Sequence, residues 1–234
     1  MKGHAIRILG LVFALSTVSF LLIPATLAQT VMNGSFEAVQ IGAPFVTSNP
    51  ADIPGWTKGG VTGDGLLWAV GYSDCCGSVT VAGDGNQFVT LGGGAGIPGT
   101  ADWQTTITGL TAGNSYVVNF MTATEQGPNF PFPVFAQTMT VGFLSGSSTP
   151  SQGFTSPIST TDYWRVWVPQ QYIFTATASS ATVDFSVSNQ MDDMGLDNVS
   201  VTATPEPSSL LLLGTGLLGA AGTLRRRKKI VGLN

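Results

Sequence analysis

The chain has 234 residues, of which 43% are hydrophobic and only 9% charged, and a net charge of −4. Seven of its nine basic residues lie near the termini, at Lys2, Arg7 and Arg225 to Lys229, so residues 29–204 keep only Lys58 and Arg165 against twelve acidic residues, a net charge of −10. That balance disfavours nucleic acid, whose phosphates need basic patches, and anionic lipid surfaces, and it suits cation binding or solubility outside the cell. The single histidine, His4, precedes this region, which excludes Ser-His-Asp, Cys-His and histidine-zinc chemistry from it.

In chain order, Lys2 and Arg7 form a positive leader, Ile8 to Ile23 is almost wholly apolar, and Pro24 ends the run. Thr26-Leu27-Ala28 places small residues where signal peptidase reads them, so residues 1–28 read as a secretory signal peptide cleaved after Ala28. Residues 29–203 make one domain by length. They are rich in Gly, Thr, Ser and Val and give strand signals throughout: Gln87 to Leu91, Trp103 to Ile107, Ser115 to Phe120, Thr138 to Phe143, Trp164 to Val168, Gln171 to Thr177, Thr182 to Ser188 and Asn198 to Ala203. Many short strands punctuated by turn residues predict an all-β fold, an antiparallel sandwich of jelly-roll type. Cys75 and Cys76 are adjacent, which leaves a strained vicinal disulfide, a bridge to another chain or, with least support, a metal site.

Catalysis would have to rest on carboxylates. Asp192 and Asp193 are neighbours that an extended chain points to opposite faces, and Glu37 and Glu125 are the only glutamates of residues 29–204. No acid–base pair stands out, and the expectation is a non-enzymatic protein. Binding has more candidates, because sugars stack on flat aromatic faces and hydrogen-bond to amides and carboxylates. Strand alternation in Tyr163 to Val168 places Trp164, Val166 and Val168 on a core face and Tyr163, Arg165 and Trp167 on an exposed aromatic–cationic strip. Trp68 and Tyr72 flank a glycine-rich turn and join that ligand-binding set, whereas Trp56 and Trp103 read as core.

The last segment carries Pro205-Glu206-Pro207, an uncharged run from Ser208 to Leu224, and the basic stretch that begins Arg225-Arg226-Arg227. The run is close to the minimum for a spanning helix, about 17 residues, and the basic stretch would stay cytoplasmic. It is expected to be a single transmembrane helix over 208–224, serving as a transient anchor.

The order of these parts in residues 204–234 resembles the PEP-CTERM sorting signal of Gram-negative bacteria that produce extracellular polysaccharide. The resemblance implies an exosortase-type membrane protease that recognises Pro205-Glu206-Pro207 and removes the tail, with delivery to the cell surface or polysaccharide matrix. A second resemblance spans residues 31 to 203. Asn33-Gly34-Ser35-Phe36-Glu37, Pro54-Gly55-Trp56, Asp84 to Leu91, Trp103-Gln104, Leu110 to Tyr116 and Gly195 to Val201 succeed one another as in galactose-binding-like β-sandwiches, the fold of many carbohydrate-binding modules. That likeness implies first and last strands lying side by side, and a structural Ca²⁺ held by Glu37 and Asp197 with Asp84 nearby; the same residues also suit plain hydrogen bonding at strand ends. The expected function is carbohydrate binding, the alternatives a structural or adhesive matrix protein without a specific ligand, or a polysaccharide hydrolase.

Overall fold

A computed structural model describes residues 28–41, 46–47, 53–59, 65–73, 78–92, 99–125, 136–157, 164–190, 193–204 and 213–219. Among these residues twelve strands run in the order β1 (Thr30–Val31), β2 (Val46–Thr47), β3 (Trp56–Gly59), β4 (Leu67–Ala69), β5 (Gln87–Leu91), β6 (Gly99–Thr108), β7 (Ser115–Thr124), β8 (Gln137–Ser145), β9 (Gln152–Ser156), β10 (Val168–Thr175), β11 (Ser180–Gln190) and β12 (Met194–Ala203). They form two six-stranded antiparallel sheets, β1-β6-β11-β8-β9 with β3 also on β6, and β10-β7-β12-β5-β4-β2. From β5 onward the chain changes sheet at nearly every connection, so the sheets close over one core.

Period-two alternation explains the packing. In β6, Ala101, Trp103, Thr105 and Ile107 are buried while Asp102, Gln104, Thr106 and Thr108 face outward. Opposite them β7 buries Tyr116, Val118, Phe120 and Thr122, and beside β6 in the same sheet β11 supplies Ala181, Val183, Phe185 and Val187. Each large apolar side chain removed from water contributes roughly 1.5–3 kcal/mol. The Trp103 indole crosses the layer and donates to the Thr90 carbonyl at 3.0 Å, tying the two sheets together.

Several expectations change. β1 pairs with β6 in the first sheet, not with the last strand; the loop after β1 crosses instead, and Val199 N donates to Gly34 O at 2.8 Å. Approach there is so close that a methyl group on Gly34 would collide with the Val199 carbonyl. Trp164 has a positive φ of 57° and is not in a strand; β10 begins only at Val168. Val166, expected in the core, is exposed. In the expected membrane segment 208–224, residues 213–219 are helical, and no described helix is long and apolar enough to cross a membrane.

A second apolar cluster lies on the outer face of the second sheet. Phe88 and Trp68 point away from the main core, where Val89 and Leu67 point in, and are roofed by Val79, Ala82, Trp164 and Trp167. Phe88 packs on Trp164 and Trp167 with ring centroids 5.1 and 5.0 Å apart. Gly195 makes room for this roof, since a methyl group there would strike both indoles. A strand face that alternation assigns to solvent thus becomes a second core because a loop folds over it.

Candidate functional site

The outer face of the first sheet carries a built depression. A groove of about 560 Å³ is lined by Thr30, Met32, Gly55, Trp56, Thr57, Thr106 and Thr108, within the usual size of small-ligand sites. Sheet register brings these distant residues together, with Thr30 opposite Thr108 and Trp56 opposite Thr105. The Pro54-Gly55 turn, with Gly55 at φ 86°, sets the wall. The Trp56 indole donates to Asn33 O at 3.0 Å and Thr105 Oγ1 donates to Gly55 O at 2.9 Å, which fix the turn against the sheet. The lining offers neutral hydroxyls able to donate and accept, the exposed Met32 thioether, and the edge of an otherwise buried indole.

Above the groove the polar lane continues along β6 to Gln104 and Asp102 and across to Asp184 and Ser186 on β11. From Thr108 to Asp102 it runs about 20 Å at strand rise. Gln104 Nε2 donates to Asp102 Oδ2 at 2.6 Å. Burial, and then the neighbouring Asp102, hold the Asp184 carboxyl above the ordinary aspartate range, and the two side chains share a hydrogen bond. The lane therefore presents hydroxyls, an amide and a half-buried acid pair in sequence. Nothing in the local sequence marks it, because its members come from β1, β3, β6 and β11 and only the register unites them.

Of the three acids expected together, Glu37 and Asp197 accept backbone amide hydrogens from one turn, residues 84–87, which also carries Asp84. Glu37 Oε1 accepts the amide hydrogens of Asn86 and Gln87 at 2.5 and 2.6 Å, and Glu37 Oε2 accepts from Gln40 Nε2 at 2.7 Å. Asp197, with no exposed surface, accepts from Asp84 N and from Asn198 N, both at 2.7 Å. Burial pushes the Asp197 carboxyl up to about 8, helped by repulsion from Asp84 and Glu37 and opposed by those two backbone donors. Among the described residues no three acidic side chains converge into a metal cage. Carboxylate oxygens are the hard donors calcium takes, and here each oxygen of Glu37 and Asp197 accepts an N–H hydrogen, the hydrogen-bonding role that the same residues also suit.

The expected aromatic set is dispersed. Trp68 is buried rather than exposed, and Tyr72 packs edge-on against it at 4.7 Å. Trp167 is half-buried on Phe88, with its indole 3.4 Å from Val81 O, while Arg165 is exposed. Trp56 and Trp103 are buried as expected. Tyr163, the Cys75-Cys76 pair, Pro205, Glu206, Pro207, Arg225, Arg226 and Arg227 lie outside the described residues. Glu125 and Asp193, not singled out by the sequence as a pair, are both buried where β7 meets β12, with Asp193 N donating to Glu125 Oε2 at 3.3 Å.

Comparison with known proteins gives three results. Residues 203–228 match the PEP-CTERM protein-sorting motif. No curated protein matches the chain in sequence. Among solved structures, TmCBM61 in complex with β-1,4-galactotriose is similar over 74% of this chain and 97% of its own, at 15% identity and a TM-score of 0.44. A bacteriophage CBA120 tailspike protein 4 active domain (16% identity, TM-score 0.47) and the arabinose-bound α-L-arabinofuranosidase MgGH51 (12%, 0.48) are similar over 76% and 75% of this chain. The chain spans only 22% and 26% of those two. The neighbours include carbohydrate-binding modules, and at such identities and TM-scores nothing about this chain is argued from the likeness.

Proposed function

We propose that this chain is the precursor of an exported, non-enzymatic carbohydrate-binding protein that takes an extended glycan along the outer face of the first sheet. The supporting observation is the groove and the lane above it: neutral hydroxyls, an amide and carboxylates in a row about 20 Å long, with the exposed Met32 side chain and the edge of the buried Trp56 indole at the groove end. Sugars need that mixture, many weak polar contacts beside an apolar face. The sorting motif at residues 203–228 supports delivery to the cell surface or to an extracellular polysaccharide matrix. In this reading the signal peptide starts export, the 208–224 segment holds the precursor in the inner membrane, and an exosortase-type protease cuts at Pro205-Glu206-Pro207.

A polysaccharide hydrolase is the weaker reading. Two carboxyls that flank a glycosidic bond stand about 5–9.5 Å apart, whereas Asp102 and Asp184, the acid pair on this face, are in direct hydrogen-bond contact. Such a pair suits binding of sugar hydroxyls better than acid–base attack. A structural calcium ion at Glu37 and Asp197 belongs to the same proposal, as a stabiliser of the domain away from the lane.

A glycan array probed with the exported chain tests the assignment. Thr106→Arg places a long cation in the groove without touching the core, so retention on the bound glycan is expected to fall at least tenfold, about 1.4 kcal/mol, with an unchanged melting temperature. Trp167→Ala is expected to leave retention unaltered. Absence of any retained glycan would favour the structural-matrix alternative.

A further inference from the structure

The charge of the domain is distributed unevenly along its long axis. One end of the sandwich is closed by three turns, residues 109–114, 145–151 and 176–180, and the chain leaves β12 for the sorting segment at that same end. Hydrogen bonds bind these parts into one surface. Leu110 N donates to Ser179 O at 3.0 Å, Gly113 N to Ala176 O at 2.8 Å and Thr177 N to Gly146 O at 2.8 Å. The Tyr172 hydroxyl donates to Pro150 O at 2.6 Å, and Thr149 Oγ1 accepts Thr175 N at 3.1 Å. The exit is fastened too: Thr204 N and Oγ1 both donate to Ser115 O, at 3.0 and 2.8 Å.

None of these turns contains a charged residue, and neither do residues 103–124, 126–161, 166–183 and 198–205. Among the described residues the nearest charge along any strand is Asp184, four residues into β11 from Ser180, about 13 Å at strand rise. Exposed at this end are Thr111, Ala112, Ser148, Thr177, Ala178 and Ser179. A region with a net side-chain charge of −10 therefore keeps one end free of charged side chains, and that end surrounds the exit of the sorting segment. The amino group that cleavage after Ala28 leaves on Gln29 lies at the same end, where Gln29 Nε2 donates to Gly109 O at 3.5 Å, and it is cationic, a charge that anionic lipid attracts.

We propose that this base of the domain is a membrane-apposed surface, seated against the lipid headgroups of the leaflet that holds the chain's own tail. The inference rests on the reading of 208–224 as a membrane anchor. Thr204 is pinned to the domain, and the apolar run starts at Ser208, so covalent reach limits the separation to about 14 Å. An acidic domain that close to anionic lipid is repelled, and the repulsion decays over roughly 8–10 Å. Turning this end toward the bilayer removes the nearest carboxylates from that range. Small hydroxyl-bearing side chains suit the wet headgroup zone and bring no charge to be desolvated there. The sorting protease must then reach Pro205-Glu206-Pro207 in a narrow space between base and bilayer.

The test uses residues 29–234, the chain without its leader, in vesicles of phosphatidylethanolamine and phosphatidylglycerol, beside a version with twenty Gly/Ser residues inserted after Thr204, a linker averaging about 25 Å. Amide hydrogen exchange is read at the three turns and, as an internal reference, at residues 83–87. The expected result is at least about threefold slower exchange of the base turns in the native chain than in the extended one, with the reference unchanged. Equal exchange in chains that float with the vesicles overturns the apposition alone. Failure to float overturns the anchor reading and the proposal with it. Protection that arises only when the sorting protease is co-reconstituted assigns the surface to the protease and overturns the membrane assignment.

Discussion

Trp103→Ala is expected to destabilise the domain by about 3–5 kcal/mol, enough to unfold much of the population at growth temperature. The indole has no exposed surface and sits among side chains of both sheets. Removing it leaves a cavity that stiff strands on either side cannot close, and it leaves the Thr90 carbonyl without its donor. Trp103→Phe separates the two losses. It keeps most of the packing and forfeits mainly the hydrogen bond, a cost of about 0.5–1.5 kcal/mol. Urea unfolding followed by fluorescence reads both. A midpoint for the alanine variant within error of the parent would mean that the layer between the sheets is not packed as described.

The second large effect concerns Asp197. Its folded value of about 8 stands far above the ordinary aspartate value of 3.8, so the folded chain binds the proton more tightly than the unfolded one. The associated stability is fully present below about pH 4 and is lost as pH rises through 8. Each unit of displacement corresponds to about 1.4 kcal/mol, and several kcal/mol are at stake across the window. In chelator, the parent should melt lower at pH 8 than at pH 5 relative to Asp197→Asn, whose amide does not ionise. Calcium should restore the parent at pH 8, because a bound cation offsets the buried charge, and should do little for the asparagine variant. Melting temperatures of both proteins at the two pH values, with and without calcium, check this. A parent indifferent to calcium at pH 8 would remove the metal and leave Glu37 and Asp197 as acceptors for the 84–87 turn.

What the sequence could say about the fold follows from where its period survives. Gln87 to Leu91 alternates between glycine-rich brackets and is a strand with those bounds. Met194 to Ala203 is longer than Asn198 to Ala203 suggests, because a bulge between Asp197 and Ser200 shifts its alternation partway along. The stretch from Trp164 to Val168 misleads for the opposite reason. It alternates as written, yet Trp164 takes a left-handed backbone conformation, and the residues before β10 fold onto Phe88 instead of pairing.

The site divides in the same way. Motif order points to Glu37, Asp84 and Asp197, and the backbone of the 84–87 turn contacts Glu37 and Asp197, although β1 itself lies in the other sheet. Trp68 was misplaced because local pattern cannot see a covering loop. The threonine groove was invisible, since Thr30, Thr57, Thr106 and Thr108 are ordinary strand residues until pairing sets β1 and β3 beside β6.

Glycan binding at the outer face of the first sheet is read by amide shift mapping of the exported chain during titration with an oligosaccharide retained on the array. Shifts are expected to concentrate at Thr30, Thr57, Gln104, Thr106 and Thr108 and to extend to Asp184. Shifts confined to Tyr72, Arg165 and Trp167 on the second sheet would contradict binding at that face.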